Sequence, residues 1–108
     1  MTNPNLPERN NEGFLEDPRA WTPAVAEIVA RESGIELNDN HWEIIQFLRN
    51  FYKEHEMSPP SNRLFVKAVK EALGEDRGNS IYLMGLFPGT PAKTACRIAG
   101  LPRPTNCL

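Results

Sequence analysis

The stretch NDNHWEIIQFLRNFY, residues 38–52, decides the fold. Its large apolar side chains recur at steps of three and four residues, the spacing that places side chains on one face of an α-helix. These side chains are Trp42, Ile44, Ile45, Leu48, Phe51 and Tyr52. Asn38 stands directly before the pattern, and its side chain can cap the first turn. The pattern therefore predicts a long amphipathic helix that begins after Asn38.

Further helices are predicted by their start and stop signals. A threonine followed by proline is typical of a helix start, because proline at the first helical position loses no hydrogen bond. Glycine directly after an apolar stripe is typical of a helix end. The expected starts are Thr22-Pro23, Ser61 or Asn62, Asn79-Ser80 and Thr90-Pro91, and the expected stops are Gly34, Gly74, Pro88 and Gly100.

These signals predict a mainly α protein, a compact orthogonal bundle of about five helices over residues 21–100. The third helix is expected to turn five side chains inward: Leu64, Phe65, Ala68, Val69 and Leu73. Residues 1–20 are rich in Pro, Asn and Gly and are expected to be weakly ordered, with room for a small N-terminal β-hairpin at Phe14-Leu15. A chain of 108 residues is long enough for one domain of this kind.

Composition and charge limit the class of protein. No stretch approaches the roughly 20 apolar residues of a membrane span, and the polar N-terminus does not resemble a secretory signal, so we expect a cytoplasmic protein. Residues 58–108 hold seven bases and three acids, whereas residues 1–57 hold eleven acids and five bases. The bases nearest the C-terminus are Lys93, Arg97 and Arg103, and we expect them to bind an anionic partner surface or sulfur anions.

The last eight residues, 101–108, are predicted to form a flexible arm. Pro102 and Pro104 exclude a regular helix and favour extended backbone, and Cys107 lies one residue from the end. From Ala99 to Cys107 an extended chain reaches about 26–29 Å. A disulfide requires Cα atoms within about 7 Å, so the arm can either fold back on Cys96 or extend into another protein.

Cys96 has a different setting. It shares a helical stripe with Ala92, Ala95 and Ala99, which is typical of a buried, inert thiol. Cysteines in a reducing compartment are more often reactive or buried thiols than structural disulfides. The sequence therefore leaves two interpretations of Cys96 open, a packing residue and a partner of Cys107 in thiol chemistry.

Four stretches resemble the DsrC/TusE family of sulfur-relay proteins. The most specific is TPAKTACRIAGLPRP, residues 90–104, followed by the penultimate Cys107. The others are NDNHWEIIQFLR at 38–49, VKAV at 66–69 and GNSIYLMGLFP at 78–88. The resemblance implies a helical bundle with a small N-terminal β element, a mobile C-terminal arm, and sulfur carried as a persulfide on Cys107.

The resemblance also implies the partners. Members of the TusE type take a persulfide from an upstream sulfurtransferase complex and pass it toward the tRNA 2-thiouridylase. Members of the DsrC type carry both cysteines and act with dissimilatory sulfite reductase, where Cys96 would be the candidate resolving cysteine. On this interpretation the chain is a sulfurtransferase that acts as a sulfur carrier, without a stand-alone active site and without a cofactor.

Other classes of function are weaker interpretations of the same residues. A helix-turn-helix interpretation would place Arg63, Lys67 and Lys70 on a DNA-facing helix, but the chain is net negative and its neighbouring segments are acidic. His41, His55 and the two cysteines lack the close spacing of a metal site, so no metal is predicted. No nucleotide-binding or Ser/His/Asp motif is present in the sequence.

Overall fold

The computed structural model describes residues 6–104, and within this range five α-helices follow a short 3-10 turn at Pro18–Ala20. The helices are α1 (Pro23–Glu32), α2 (Asp39–Glu54), α3 (Asn62–Leu73), α4 (Ser80–Leu86) and α5 (Pro91–Ile98). No helix in this range is long and apolar enough to cross a membrane. The predicted mainly α bundle of about five helices is confirmed.

Most predicted helix caps are confirmed. Thr22, Asn38, Ser61 and Asn79 each accept a hydrogen bond from a backbone N–H in the first turn of the following helix. The predicted start of α5 at Thr90-Pro91 is confirmed, but the side chain of Thr90 makes no capping hydrogen bond. Instead Asn62 Oδ1, at the start of α3, accepts from the N–H of Ala92 at 3.1 Å. The first turn of α5 is therefore stabilised by a different helix.

The last helix, α5, lies at the centre of the bundle and contacts each of the other four helices. Its buried residues are small or compact: Pro91, Ala92, Ala95, Cys96 and Ile98. Small side chains let neighbouring helices approach closely on several sides, so a helix of eight residues can pack against four partners. The rest of the core is built from larger side chains, among them Phe14, Ile44, Leu48, Phe65 and Leu83.

The N-terminal β element is reduced to one antiparallel bridge, between Arg9 and Leu15, and residues 6–104 contain no strand. Phe14 and Leu15 next to it are buried in the core. The predicted inward position of Leu64 is wrong, since 43% of its surface is exposed. Phe65 and Val69 form the buried face of α3. Leu64 lies beside that face, at the edge of a groove between α2 and α3.

His41 joins the start of α2 to the end of α4. Its Nδ1 accepts from the N–H of Asn38 at 3.1 Å, and its Nε2 lies 3.0 Å from the carbonyl oxygen of Leu86. A carbonyl oxygen can only accept a hydrogen bond, so Nε2 carries the ring hydrogen. Because Nδ1 accepts a hydrogen bond and carries no hydrogen, the ring is neutral. Phe87 packs edge-on against the ring. Burial lowers the pKa of His41 below its usual value of 6.5, although the Leu86 carbonyl opposes that shift.

We predict that His41 makes the stability of the protein depend on pH. The lowered pKa means that stability is complete above about pH 6.5, the unfolded value, and is lost as the pH falls through the folded pKa. His41→Ala should lower the free energy of unfolding by about 1–3 kcal/mol at pH 7.5, because the Leu86 carbonyl loses its donor. Between pH 7.5 and 5.5 the urea midpoint should also fall less in His41→Ala than in wild type.

His55→Ala is the matched control, because His55 is exposed and stacks on Phe51 at the surface end of α2. It removes the other histidine of the chain and leaves the contacts of His41 in place. Equal slopes for wild type and His41→Ala would contradict this assignment.

Candidate functional site

The segment that leads to Cys107 begins at a tightly held helix end. The N–H of Leu101 donates to the carbonyl of Cys96 at 2.9 Å, and Gly100 adopts a φ of +74°. This arrangement closes the C-terminus of α5 and reverses the chain direction. Leu101 and Pro104 are buried, so residues 101–104, the first half of the predicted arm, lie against the bundle.

Two side chains from distant parts of the chain hold the same helix end. Trp21 Nε1 donates to the carbonyl of Ile98 at 2.9 Å, and Arg49 donates to the carbonyl of Ala99 at 2.7 Å. The Arg49 guanidinium also lies 4.3 Å from the centre of the Trp21 ring. A cation at the negative end of a helix is favourable, and stacking on an indole adds to it. Burial lowers the pKa of Arg49 below its usual value, and nearby Tyr52 partly opposes this.

Cys96 lies inside the bundle, with no exposed surface. Ala92, Ala95 and Ala99, the other members of its stripe, are fully buried as well. The predicted burial of this thiol is therefore confirmed. Reagents and partners cannot reach Cys96 unless its surroundings open.

The three predicted basic residues lie around one acidic turn. Lys93 Nζ is 3.7 Å from Glu12, and the Arg103 guanidinium approaches the same carboxylate at 2.9 Å. Arg97, one helical turn after Lys93, stacks its guanidinium 5.1 Å from the Phe14 ring centre. The Nε of Arg97 is buried and has no acceptor within residues 6–104. Lys93 and Arg103 thus share the carboxylate of Glu12, and Arg97 lies beside the turn that carries it. We name these four residues, Glu12, Lys93, Arg97 and Arg103, the basic cluster.

Cys107 lies outside the described residues, as do the other positions of 105–108. Three of the other titratable residues singled out in the sequence, His41, His55 and Lys70, make contacts of their own. Both His41 nitrogens bond to backbone groups, His55 Nδ1 contacts the Phe51 carbonyl, and Lys70 pairs with Glu75 at 3.7 Å. Within residues 6–104 no three His, Cys, Asp or Glu side chains gather as a metal site would require.

Sequence reasoning missed Trp21, Arg49 and Glu12. Trp21 precedes a helix start and Arg49 stands among apolar residues of α2, so each carried a weak signal of burial. Glu12 gave none, because its turn contains only polar residues and glycine and its partners lie 81 and 91 positions later in the chain.

Comparison with known proteins places these features in a family. The family model described as "DsrC like protein" matches residues 2–108. The chain is 48% identical to the sulfurtransferase TusE of Pectobacterium atrosepticum, over 90% of this chain and 88% of that protein. It is 45% identical to the TusE of Escherichia coli strain K12, over 94% of this chain and 92% of that protein.

Solved structures agree with the sequence relatives. The NMR structure of DsrC from Allochromatium vinosum matches with a TM-score of 0.82 and 47% identity, over 92% of this chain and 88% of that one. The oxidised gamma-subunit of dissimilatory sulfite reductase, DsrC, from Archaeoglobus fulgidus matches with a TM-score of 0.78 and 40% identity, over 94% of this chain and 91% of that one. The helical arrangement is therefore shared along nearly the whole chain.

These features define a class of small helical proteins that bear a thiol. The last of five helices lies at the centre of the domain, and a basic segment with two prolines and a penultimate cysteine follows it. Within that class the chain belongs to the DsrC family. Nothing in the described part of the structure or in these comparisons supports the nucleic-acid-binding alternative.

We predict that Gly100 is required for the path of the chain after α5. A Cβ at this position would lie 2.4 Å from Trp21 Cδ1, so Gly100→Ala must displace the indole and its hydrogen bond to Ile98. Gly34→Ala is the control, because Gly34 has the same φ of +74° and a methyl group added there would meet no other atom within 4 Å.

Urea denaturation measures the difference between the two variants. Gly34→Ala should cost about 1–2 kcal/mol from its backbone conformation alone. Gly100→Ala should cost about 1–3 kcal/mol more because of the added overlap. Equal destabilisation would show that Trp21 does not constrain this helix end.

Proposed function

We propose that the protein is a cytoplasmic sulfur-carrying sulfurtransferase that accepts a sulfane sulfur as a persulfide on Cys107 and passes it to a partner protein. Membership of the DsrC family over residues 2–108 is the observation that carries this proposal. The names of its relatives, sulfurtransferase TusE and the gamma-subunit of dissimilatory sulfite reductase, both belong to sulfur metabolism.

The transfer is a pair of thiol exchange reactions. The Cys107 thiolate attacks the terminal sulfur of a donor persulfide, a new S–S bond forms, and the donor thiolate leaves. An acceptor thiolate then attacks the terminal sulfur on Cys107, and the Cys107 thiolate leaves. Each step exchanges one S–S bond for another, so sulfur is moved without net oxidation or reduction.

Cys96 offers a second route from the persulfide. Its thiolate can attack the inner sulfur of the Cys107 persulfide, which forms a Cys96–Cys107 disulfide and releases hydrosulfide. A thiol reductant must then supply two electrons to restore both thiols. Cys96 is fully buried, so its thiol must become accessible to the persulfide before this route can proceed.

The basic cluster is the proposed docking point for the partner. Lys93, Arg97 and Arg103 carry three positive charges against the one carboxylate of Glu12. The side chains of Lys93 and Arg103 are 32% and 49% exposed, so these two cations are accessible to an acidic protein surface next to the start of the arm.

Two protein partnerships fit the family. One is a TusE-like relay, from an upstream sulfurtransferase complex toward the tRNA 2-thiouridylase. The other is a DsrC-like pairing with dissimilatory sulfite reductase, for which both Cys96 and Cys107 are present. The identities of 48% to a TusE and 47% to a DsrC give equal support to both.

We predict that Cys107 is the residue that accepts and donates the sulfur in this exchange. Incubation of the native protein with a persulfide donor should add about 32 Da, the mass of one sulfur atom, to wild type and to Cys96→Ala. The intact mass of Cys107→Ala should stay unchanged, since its remaining thiol is buried. Mass spectrometry after removal of the donor provides the measurement.

Cys96→Ala is the matched control because both variants lose one thiol, and alanine fits a stripe already built of alanines. An adduct that persists on Cys107→Ala would place the carried sulfur elsewhere and contradict the proposal.

A further inference from the structure

The solvent-facing side of α3 carries a row of three basic residues. Arg63, Lys67 and Lys70 follow one another at steps of four and three positions, so their side chains project from the same side of the helix. All three residues are exposed, and neither Arg63 nor Lys67 forms an ion pair within residues 6–104. Lys70 Nζ lies 3.7 Å from a carboxylate oxygen of Glu75, and a surface ion pair of this kind is weak. The row is therefore available to another molecule.

An open groove separates this row from the start of α4. The three basic residues and Val66 line it on the side of α3, and Gly78 and Ser80 line it on the other side. No acidic residue of the described part of the chain lines this groove. Glu71, the one acidic residue of α3, lines the groove between α2 and α3 instead. The charge along the groove beside α4 is therefore positive.

The first turns of α4 add an exposed apolar surface beside the groove. Ser80 and Met84 are four positions apart and lie on the same side of α4, and Ile81 precedes Met84 by about one turn. Ile81 is 87% exposed and Met84 is 50% exposed. Large apolar side chains in contact with water favour association, because their burial is favourable. A molecule that occupies the groove can therefore bury both side chains.

Close packing fixes the position of α4 relative to α3. A Cβ on Gly78 would lie 2.1 Å from the Cα of Lys70, so the chain can pass this close to α3 only with glycine. The side chain of Asn79 donates to the carbonyl of Glu75 at 3.0 Å and accepts from the N–H of Tyr82 at 2.8 Å. The groove is therefore formed before a partner binds, which lowers the entropic cost of binding.

We propose that the α3–α4 face, formed by Arg63, Lys67, Lys70, Ile81 and Met84, binds an acidic protein segment that also carries large apolar side chains. The row extends about 10 Å along α3, too far for one small anion to contact all three cations. Several carboxylates along a peptide chain can pair with them while apolar side chains of the same segment cover α4. This face shares no residue with the basic cluster and does not require Cys107, so the inference goes beyond the proposed function.

Nucleic acid is the other polyanion that such a row can attract, and the surroundings of the row argue against it. Glu71, Glu75 and Asp76 directly follow the row and are exposed, so they would repel the continuous negative charge of a phosphate backbone. A phosphate backbone would also leave Ile81 and Met84 without an apolar partner. A short acidic segment with apolar side chains fits both the charge and the exposed apolar surface.

Binding of a synthetic peptide of three Asp-Glu-Leu repeats to the full chain tests the role of the basic row. Lys67→Gln should weaken binding about two- to fivefold, the range expected for an exposed ion pair. Lys53→Gln is the matched control. Lys53 is exposed near the end of α2 and forms no ion pair within residues 6–104, and its loss changes the net charge equally. Equal affinities of the two variants, or no binding of the peptide to wild type, would overturn the proposal.

The same peptide tests the role of the apolar surface. Ile81→Ser should weaken binding about three- to tenfold, because the leucines of the peptide lose their apolar contact. Met57→Ser is the control, since Met57 is 73% exposed and lies outside the α3–α4 face. Both variants should keep the urea midpoint of wild type, because both side chains are mostly in water. Equal peptide affinities of Ile81→Ser and Met57→Ser would contradict the proposal.

Amide chemical shifts and a DNA duplex separate this proposal from its alternatives. The peptide should shift the amide resonances of residues 63–70 and 80–84. Shifts confined to residues 93–97 would place the peptide on the basic cluster and overturn the proposal. Duplex binding that is tighter than peptide binding, and that falls in Lys67→Gln but not in Ile81→Ser, would overturn it in favour of nucleic acid. A missing persulfide adduct on Cys107 would remove the proposed function and leave peptide binding unchanged.

Discussion

Trp21 and Arg49 hold the carbonyls of Ile98, the last residue of α5, and of Ala99, which follows it. The path of the chain toward Cys107 depends on these contacts. A hydrogen bond to a charged group contributes about 1.5–3 kcal/mol, and Arg49 makes one to Ala99 while it stacks on Trp21. Gly100 then turns the chain where no side chain would fit beside the indole. The segment that bears Cys107 therefore starts from a fixed point on the bundle.

This constraint separates the two cysteines. Cys96 lies one turn before the held helix end and is enclosed by alanines, so its sulfur is part of the core. Cys107 follows eleven positions later, after two prolines that favour extended backbone. Both residues are cysteines, but only Cys107 lies in the proline-containing segment that we propose enters another protein. The proposed sulfur relay depends on this difference, with Cys96 in the core and Cys107 in the segment that follows the bundle.

The sequence predicted the helices well, because helix caps and apolar stripes involve residues that are only a few positions apart. Asn38, Ser61 and Asn79 cap the helices that follow them, as their side chains allow. Two contacts that the sequence did not predict depend on distant neighbours. Asn62 replaces Thr90 as the cap of α5, and Glu12 meets Arg103 across 91 positions, contacts that only the packed bundle creates.

The contrast between the two thiols is the central claim, and alkylation of the native protein tests it most directly. Iodoacetamide, with the labelled peptide identified by mass, should modify Cys107 at a rate close to that of the unfolded chain. Cys96 should react only when urea unfolds the bundle. Equal protection of Cys107 and Cys96 in the native protein would contradict the account.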